Sequence, residues 1–183
     1  MSNKIIIVGN GSSVLDKQNG ELIDSFENVL RFNKYAINGF EKNVGTKTNI
    51  WFNVLKISLY KNNWRLRVKY DEIYFYYRFN GDVKWYEQYL NYYKNTKTSV
   101  RKIKESEVHK NMPKGVRIIP SSGLAAILNF INIYGKVCIT GFDWWEKEKN
   151  HYYDNSVRAP VHNPQIEKQI IYNLRDQNKI EFI

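Results

Sequence analysis

The chain opens on a short apolar run, Lys4–Val8, continuous enough to predict a strand buried on both faces. Similar runs recur at Glu27–Phe32, Asn49–Val54, Val116–Ile119 and Lys136–Thr140. Asp71–Phe79, DEIYFYYRF, is the strand candidate richest in aromatic residues, and Lys179–Ile183 is placed to close an edge. Ser122–Tyr134 breaks the strand pattern: apolar residues fall on nearly every face, a Ser starts it and Gly135 follows it. That predicts a capped, buried helix. Pro164–Gln177 predicts another, with Asn163 as N-cap and Pro164 in the first position. Residues 55–110 are rich in Tyr and Lys and divide less clearly; one or two helices are expected there, including Val83–Tyr93. The alternation predicts an α/β protein. With no internal repeat, low-complexity segment or Gly/Pro-rich linker, residues 1–183 read as a single domain.

Composition narrows this picture only in part. Hydrophobic residues make up 43% and charged residues 25%, ordinary for a globular chain, but aromatic residues reach 15%. Cys138 is the one cysteine, which excludes an intrachain disulfide and a cysteine-based zinc site; within KVCITGF it reads as a small core residue. No apolar run is long enough to span a membrane, and Met1 leads straight into a strand without a signal peptide. A cytoplasmic location is therefore expected, with peripheral membrane association left open. The net charge of +10 favours anionic partners: nucleic acid, acidic lipid or an anionic small substrate. The basic residues are scattered, so charge does not choose among them.

Four stretches carry candidate chemistry. In VGNGSSV, residues 8–14, a strand breaks into a loop able to bring backbone close to a phosphate or sugar. The third glycine of the dinucleotide fingerprint is missing, and so is the lysine of a P-loop. Asn10 then becomes the informative residue, because an amide both donates to phosphate and accepts from a ribose hydroxyl. Gly9, Gly11 and Ser12 belong to the same loop. In the second stretch, residues 29–52, Arg31 and Asn33 stand at the end of a strand expected beside the first, and Thr46 lies in the Gly-Thr-Lys-Thr turn. Ligands of open α/β sheets gather at the carboxyl ends of strands, so Asn33 is expected to meet the ligand of Asn10. In the third, IIPSSGLAAI, Ser121, Ser122 and Gly123 open the buried helix and aim its amides at an anion.

The fourth stretch, after Gly141-Phe142-Asp143, is HYYD (residues 151–154) followed by HNPQIE (162–167). Two of the chain's three histidines flank this one loop, which suits general-base and phosphate-partner roles. Glu167, in the first turns of the following helix, is expected to orient the His162 imidazole or support its charged form. His109 is given no role.

Order and spacing of these stretches together resemble the animal-type sialyltransferases, glycosyltransferase family 29. The family's large motif is similar to Ile7–Phe52, above all GFEKNVGTKT; its small motif is similar to Ile118–Asp143. HYYD matches the third motif, and His162 and Glu167, four residues between them, match the very small one. The resemblance implies a GT-A-like variant fold, a Rossmann-type twisted central sheet with helices on both faces. It implies transfer from a CMP-sialic acid donor to a glycan acceptor, inverting, without a metal or other cofactor. Carried over residue by residue, Asn10 and Asn33 match asparagines that hold the cytidine nucleotide, and Ser121, Ser122 and Gly123 match a donor-contacting loop. His151 matches a histidine near the donor phosphate, and His162 matches the catalytic base. Tyr152 and Tyr153 would help to meet the departing phosphate, and Gly141 would border the donor.

The chain departs from animal members in carrying no anchor, stem or disulfide partner for Cys138, as a minimal bacterial or viral member would. The sugar is then sialic acid, a related nonulosonate or Kdo. Trp144 and Trp145 are either acceptor-site residues or surface filler. Two other readings stand beside this one. A CMP-using transferase of the other bacterial sialyltransferase type also has a Gly-Asn-Gly loop and a catalytic His. A basic, aromatic-rich nucleic-acid binder would use YFYYRF for stacking, but it leaves the paired histidines unexplained, and no nucleic-acid partner is expected.

Overall fold

A computed structural model describes residues 4–55, 57–60, 63–77, 83–144, 146, 151–154 and 161–183. Its strands are β1 (Ile5–Val8), β2 (Asn28–Phe32), β3 (Ile50–Asn53), β4 (Glu72–Tyr77), β5 (Ser99–Lys104), β6 (Val137–Thr140) and β7 (Ile180–Phe182). They form one sheet in the order β5-β4-β3-β2-β1-β6-β7, and every pairing is parallel. The helices are α1 (Gly20–Asp24), α2 (Glu41–Val44), α3 (Val83–Tyr93), α4 (Glu105–His109), α5 (Ser122–Tyr134) and α6 (Pro164–Asp176). This is the expected α/β, Rossmann-type sheet.

Side chains of β1 alternate between two cores because successive strand residues point to opposite faces. Ile5 and Ile7 pack with α4, α5 and α6 through Val108, Leu124, Ile127 and Ile170. Ile6 and Val8 pack on the other face with Val14, Ile23 and Val44. A third cluster on β3 and β4 joins Trp51, Ile73 and Phe75 to Tyr89 and Tyr93 of α3. Helices therefore cover both faces, which is why central strands read as unbroken apolar runs.

Two expectations about elements are corrected. Val116–Ile119 is not a strand. Val116 and Ile118 do turn toward the core, but both edges of β1 are taken by β2 and β6, and β7 holds the place beyond. The segment instead leads into α5 with no assigned strand. Conversely β5, SVRKIK, was hidden by its composition: it is an edge strand in which only Ile103 is buried. The predicted end of the aromatic strand, Arg78 and Phe79, lies outside the described residues, as do Trp145, Lys147 and Lys149.

Candidate active site

Strand order reverses at β1, whose neighbours are β2 on one side and β6 on the other. A crevice opens at the carboxyl ends of strands at such a switch point. Here it is a cleft of about 180 Å³. Its walls come from three strand ends, Gly9–Gly11 after β1, Phe32–Asn33 after β2 and Gly141–Trp144 after β6. The start of α5, Ser121 to Leu124, forms another wall, and His151, His162 and Glu167 complete it.

Glycines let the strand ends come this close. The N–H of Gly9 donates to the Thr140 carbonyl at 2.8 Å, and that of Gly11 to the Gly141 carbonyl at 2.9 Å. A Cβ on Gly9 would lie 2.2 Å from the Gly141 oxygen, and Gly141 itself has φ +72°. Only glycine permits both the contact and the turn.

The two asparagines present opposite chemistry. Asn33 sits at φ +44°, a left-handed conformation that Asn tolerates. Its Oδ1 accepts from the Val54 N–H at 3.1 Å, which fixes the amide orientation. Nδ2 is left facing the cleft as a donor, with no partner among the described residues. Asn10 is turned the other way: its Nδ2 donates to the Phe32 carbonyl at 3.4 Å and to the Tyr153 hydroxyl at 3.3 Å. Its Oδ1 remains as an acceptor. One cleft wall thus offers a donor and an acceptor, the pair that a nucleotide's oxyanions and hydroxyls require.

α5 supplies the anion-facing wall. Ser121 is its N-cap, the hydroxyl accepting from the Leu124 N–H at 3.2 Å. The amides of Ser122 and Gly123 in the first turn have no partner among the described residues, as helix starts require. A Cβ on Gly123 would fall 2.7 Å from the Phe142 ring, so that position also needs glycine.

His162 precedes α6, whose N-cap Asn163 accepts from the Ile166 N–H at 3.1 Å. The His162 Nδ1 lies 3.1 Å from the Ile119 carbonyl. A carbonyl only accepts, so Nδ1 carries the proton and Nε2 of the neutral ring is the basic nitrogen. Glu167 was expected to orient this imidazole. Its carboxylate, 2% exposed, accepts from Ser121, from the N–H at 2.7 Å and the hydroxyl at 2.6 Å. Together these bonds clamp the turn that carries His162 onto the loop that starts α5.

HYYD forms a tight unit. His151 pairs with Asp154 through Nδ1 at 3.1 Å, and its ring stacks on Tyr153 at 5.1 Å and 13°. Burial pushes the Tyr153 phenol well above its usual range, with Asp154 adding to the effect. The Tyr152 N–H donates to the Asn10 carbonyl at 2.9 Å, tying HYYD to the Gly-Asn-Gly loop.

Five expected donor-site residues do not line the cleft: Ser12, Arg31, Thr46, Tyr152 and Tyr153. Arg31 shares the strand face of Val29, not that of Leu30 and Phe32, so it points under α2 and is 0% exposed. Its Nη2 donates to the Val44 carbonyl and its Nε to Lys47 and Thr48; burial lowers the guanidinium below its usual range. Thr46 donates through both N–H and hydroxyl to Asp24 at the end of α1. Tyr152 is a plug, with its hydroxyl on the Ala36 backbone and its ring edge-on to Phe40 at 5.0 Å. Ser12 touches the site only through Asp143, to which its hydroxyl donates at 3.4 Å.

Sequence reasoning missed Asp143 as a site residue. Its carboxylate also accepts from the Ser13 N–H at 3.2 Å and packs on Gly11, holding the loop after β1 to the end of β6. The signal was available in its position, three residues past a buried strand. Basic charge was misleading in turn: no Lys or Arg lines the cleft among the described residues. Residues 83–117, along the β5 edge, hold nine Lys and Arg against three acidic residues. The aromatics of YFYYRF offer no stacking platform either, because Tyr74, Phe75, Tyr76 and Tyr77 are buried. Among the described residues, no group of three or more His, Cys, Asp or Glu is arranged to hold a metal ion, and no helix is long and apolar enough to cross a membrane.

The family model of Glycosyltransferase family 29 (sialyltransferase) matches residues 2–179. The chain belongs to this family. Shorter stretches resemble individual members. The beta-1,6-galactosyltransferase GALT29A of Arabidopsis thaliana is 50% identical over 46 residues, 25% of this chain and 12% of that protein. The CMP-N-acetylneuraminate-beta-1,4-galactoside alpha-2,3-sialyltransferase of Rattus norvegicus is 45% identical over 47 residues, 26% of this chain and 13% of its own length. Those alignments span only a small part of either relative. The family 29 fold extends over nearly all of the chain: the crystal structure of a mammalian sialyltransferase superposes with a TM-score of 0.72 at 21% identity, covering 98% of this chain and 68% of that one. Membership in family 29 also decides between the two sialyltransferase types that the sequence allowed.

Proposed function

We propose that this chain transfers sialic acid, or a related nonulosonate or Kdo, from a CMP-linked donor to a glycan hydroxyl. The supporting observation is His162, with Nδ1 committed to the Ile119 carbonyl and its ring in the cleft that the α5 amides also face. In this reading Nε2 takes the proton of the acceptor hydroxyl as that oxygen attacks the anomeric carbon. The bond from that carbon to the phosphate oxygen breaks, CMP leaves from the opposite face, and the configuration inverts. Negative charge developing on the phosphate is met by the Ser122 and Gly123 amides and by His151, preorganised donors in a partly water-excluded cleft. Asn10 and Asn33 hold the nucleotide. The chemistry needs no metal, since CMP leaves readily and the work is deprotonation and alignment.

The family 29 relative in Arabidopsis thaliana is named as a galactosyltransferase, so the experiment varies the donor. Purified protein is given CMP-Neu5Ac, CMP-Kdo or UDP-galactose with a glycan panel, with and without EDTA. The expected result is CMP release and transfer from a CMP-sugar, unchanged by EDTA. Turnover of UDP-galactose alone, or no CMP release from either CMP donor, would overturn the reading.

A further inference from the structure

Most of the chain's positive charge has no use in the proposed mechanism. The net charge is +10, yet no Lys or Arg lines the cleft among the described residues. Residues 83–117 alone contribute six of those ten charges, with nine Lys and Arg against Glu87, Glu105 and Glu107. They make up α3, the turn after it, β5, α4 and the segment leading to α5. β5 is the last strand of the sheet and α3 and α4 both pack beside it, so the cations gather on one edge of the molecule. Eight of the nine are exposed, and only Lys104 is half-buried. Among the described residues only Arg101 pairs with a carboxylate, Glu72 at 2.9 Å. The two acidic residues of α4 face their own helix. Glu107 accepts from the Lys104 N–H at 2.9 Å, and Glu105 lies 3.4 Å from His109.

Positive charge on an edge strand has one ordinary use, to keep another strand from pairing with it. That accounts for Arg101 and Lys102 within β5. It does not account for Lys94, Lys97, Lys110 and Lys114, which lie in the turns around the strand. Apolar surface accompanies the charge. The Tyr86 hydroxyl donates to the Val100 carbonyl at 3.4 Å and Lys102 lies 5.5 Å from its ring, so this side of α3 faces β5. Leu90, one turn further along that side, is 40% exposed, and Lys94 follows one turn later. Such an edge matches a bilayer with anionic headgroups. Lysine ammonium groups meet the phosphates, while their stems and an exposed leucine enter the headgroup boundary. Nucleic acid fits less well, since the rings of β4 are buried and offer bases nothing to stack on. We propose that the β5 edge, from α3 to the segment before α5, docks the protein on an anionic membrane surface. β5 lies four strands from β1, about 19 Å by strand spacing, so the docking edge is separate from the cleft. The proposal stands apart from the transferase reading.

The test uses the full chain and vesicles of phosphatidylcholine, alone or with one-third phosphatidylglycerol, separated from free protein by sedimentation. Wild type is expected on the anionic vesicles only. It should leave them when salt rises from about 0.1 to 1 M, which shortens the screening length from about 10 to 3 Å. K94E/K97E/K102E/K114E is compared with K4E/K17E/K42E/K179E, which reverses exposed lysines elsewhere and reaches the same net charge. Affinity for anionic vesicles should fall at least tenfold in the first variant and less than threefold in the second. Equal losses in the two, or equal binding to neutral and anionic vesicles, overturn the proposal. L90S leaves charge unchanged and should weaken vesicle binding several-fold; an unchanged affinity overturns the bilayer as the partner. Tighter binding of wild type to a single-stranded oligonucleotide than to anionic vesicles does the same. Should the first variant fail to fold, Gln at the same four positions decides, against Gln at the four control positions.

Discussion

The two halves of the sheet solve different problems with different residues. Around β1, chain segments meet through glycine backbone and short polar side chains, and the cleft is open. On β3 and β4 the same sheet is packed with large rings. Trp51 stacks on Tyr70 at 5.2 Å and takes Tyr60 edge-on at 4.9 Å. Several phenols buried there have hydrogen-bond partners: Tyr35 with Tyr70 at 2.8 Å, Tyr60 to the Asn53 side-chain oxygen at 2.9 Å, Tyr89 to the Leu55 carbonyl at 2.9 Å. Tyrosine abundance therefore reports on packing, since burying a ring is favourable once its hydroxyl has a partner. Motif spacing reports on chemistry. The nucleic-acid reading drew on the aromatic half for a role that its burial denies.

The largest contrast should appear at high pH. Burial raises the phenols of Tyr35, Tyr60, Tyr70, Tyr89 and Tyr93 above their ordinary value near 10. A raised pKa means that above pH 10 the unfolded chain loses protons the folded one keeps. Stability from these groups is thus complete below pH 10 and falls as pH rises beyond it. Each tyrosine contributes up to about 1.4 kcal/mol per pH unit, so several together should unfold the protein cooperatively. Tyrosinate absorbance at 295 nm should rise in step with loss of circular dichroism. Smooth titration of all tyrosines with the fold intact would mean that the aromatic half is solvated.

His162→Ala should do the reverse, abolishing chemistry while sparing the fold. The hydrogen bond of its imidazole to the Ile119 carbonyl is worth about 1 kcal/mol of stability. A general base contributes about 10²–10⁴-fold to rate. Transfer should fall by that factor with CMP affinity retained, measured by kcat and by calorimetry. Unchanged turnover would remove His162 from the role of base.

How much was legible follows the same division. The residue ranges of α3 and α5 and the N-cap of α6 could be read because periodicity and capping are local. Burial of β1 on both faces was likewise plain from its unbroken apolar run. Arg31 misled because the end of a strand was taken as the end of a side chain's path; its face, set by alternation from Val29, points away from the cleft. Glu167 has a partner that its spacing from His162 could not show: Ser121, 46 residues away, donates to both its oxygens. Asp143 was passed over since a lone carboxylate after a strand has no spacing signature.

The smallest effect tests the cleft at one atom. Asn33→Ala removes the Nδ2 donor, but it also removes the acceptor for the Val54 N–H and puts Ala at φ +44°, so stability and binding fall together. Asn33→Asp separates them. Aspartate keeps an oxygen for Val54 and tolerates the left-handed backbone, while an oxygen replaces the donor that faces the cleft. CMP affinity should therefore fall by about 1–3 kcal/mol in Asn33→Asp with little change in Tm. Cytidine, which lacks the phosphate, distinguishes what the amide meets. Equal losses for CMP and cytidine place Nδ2 on the nucleoside, and a loss confined to CMP places it on the phosphate. Undiminished CMP binding in the aspartate variant would mean that Asn33 shapes the loop after β2 and touches no ligand.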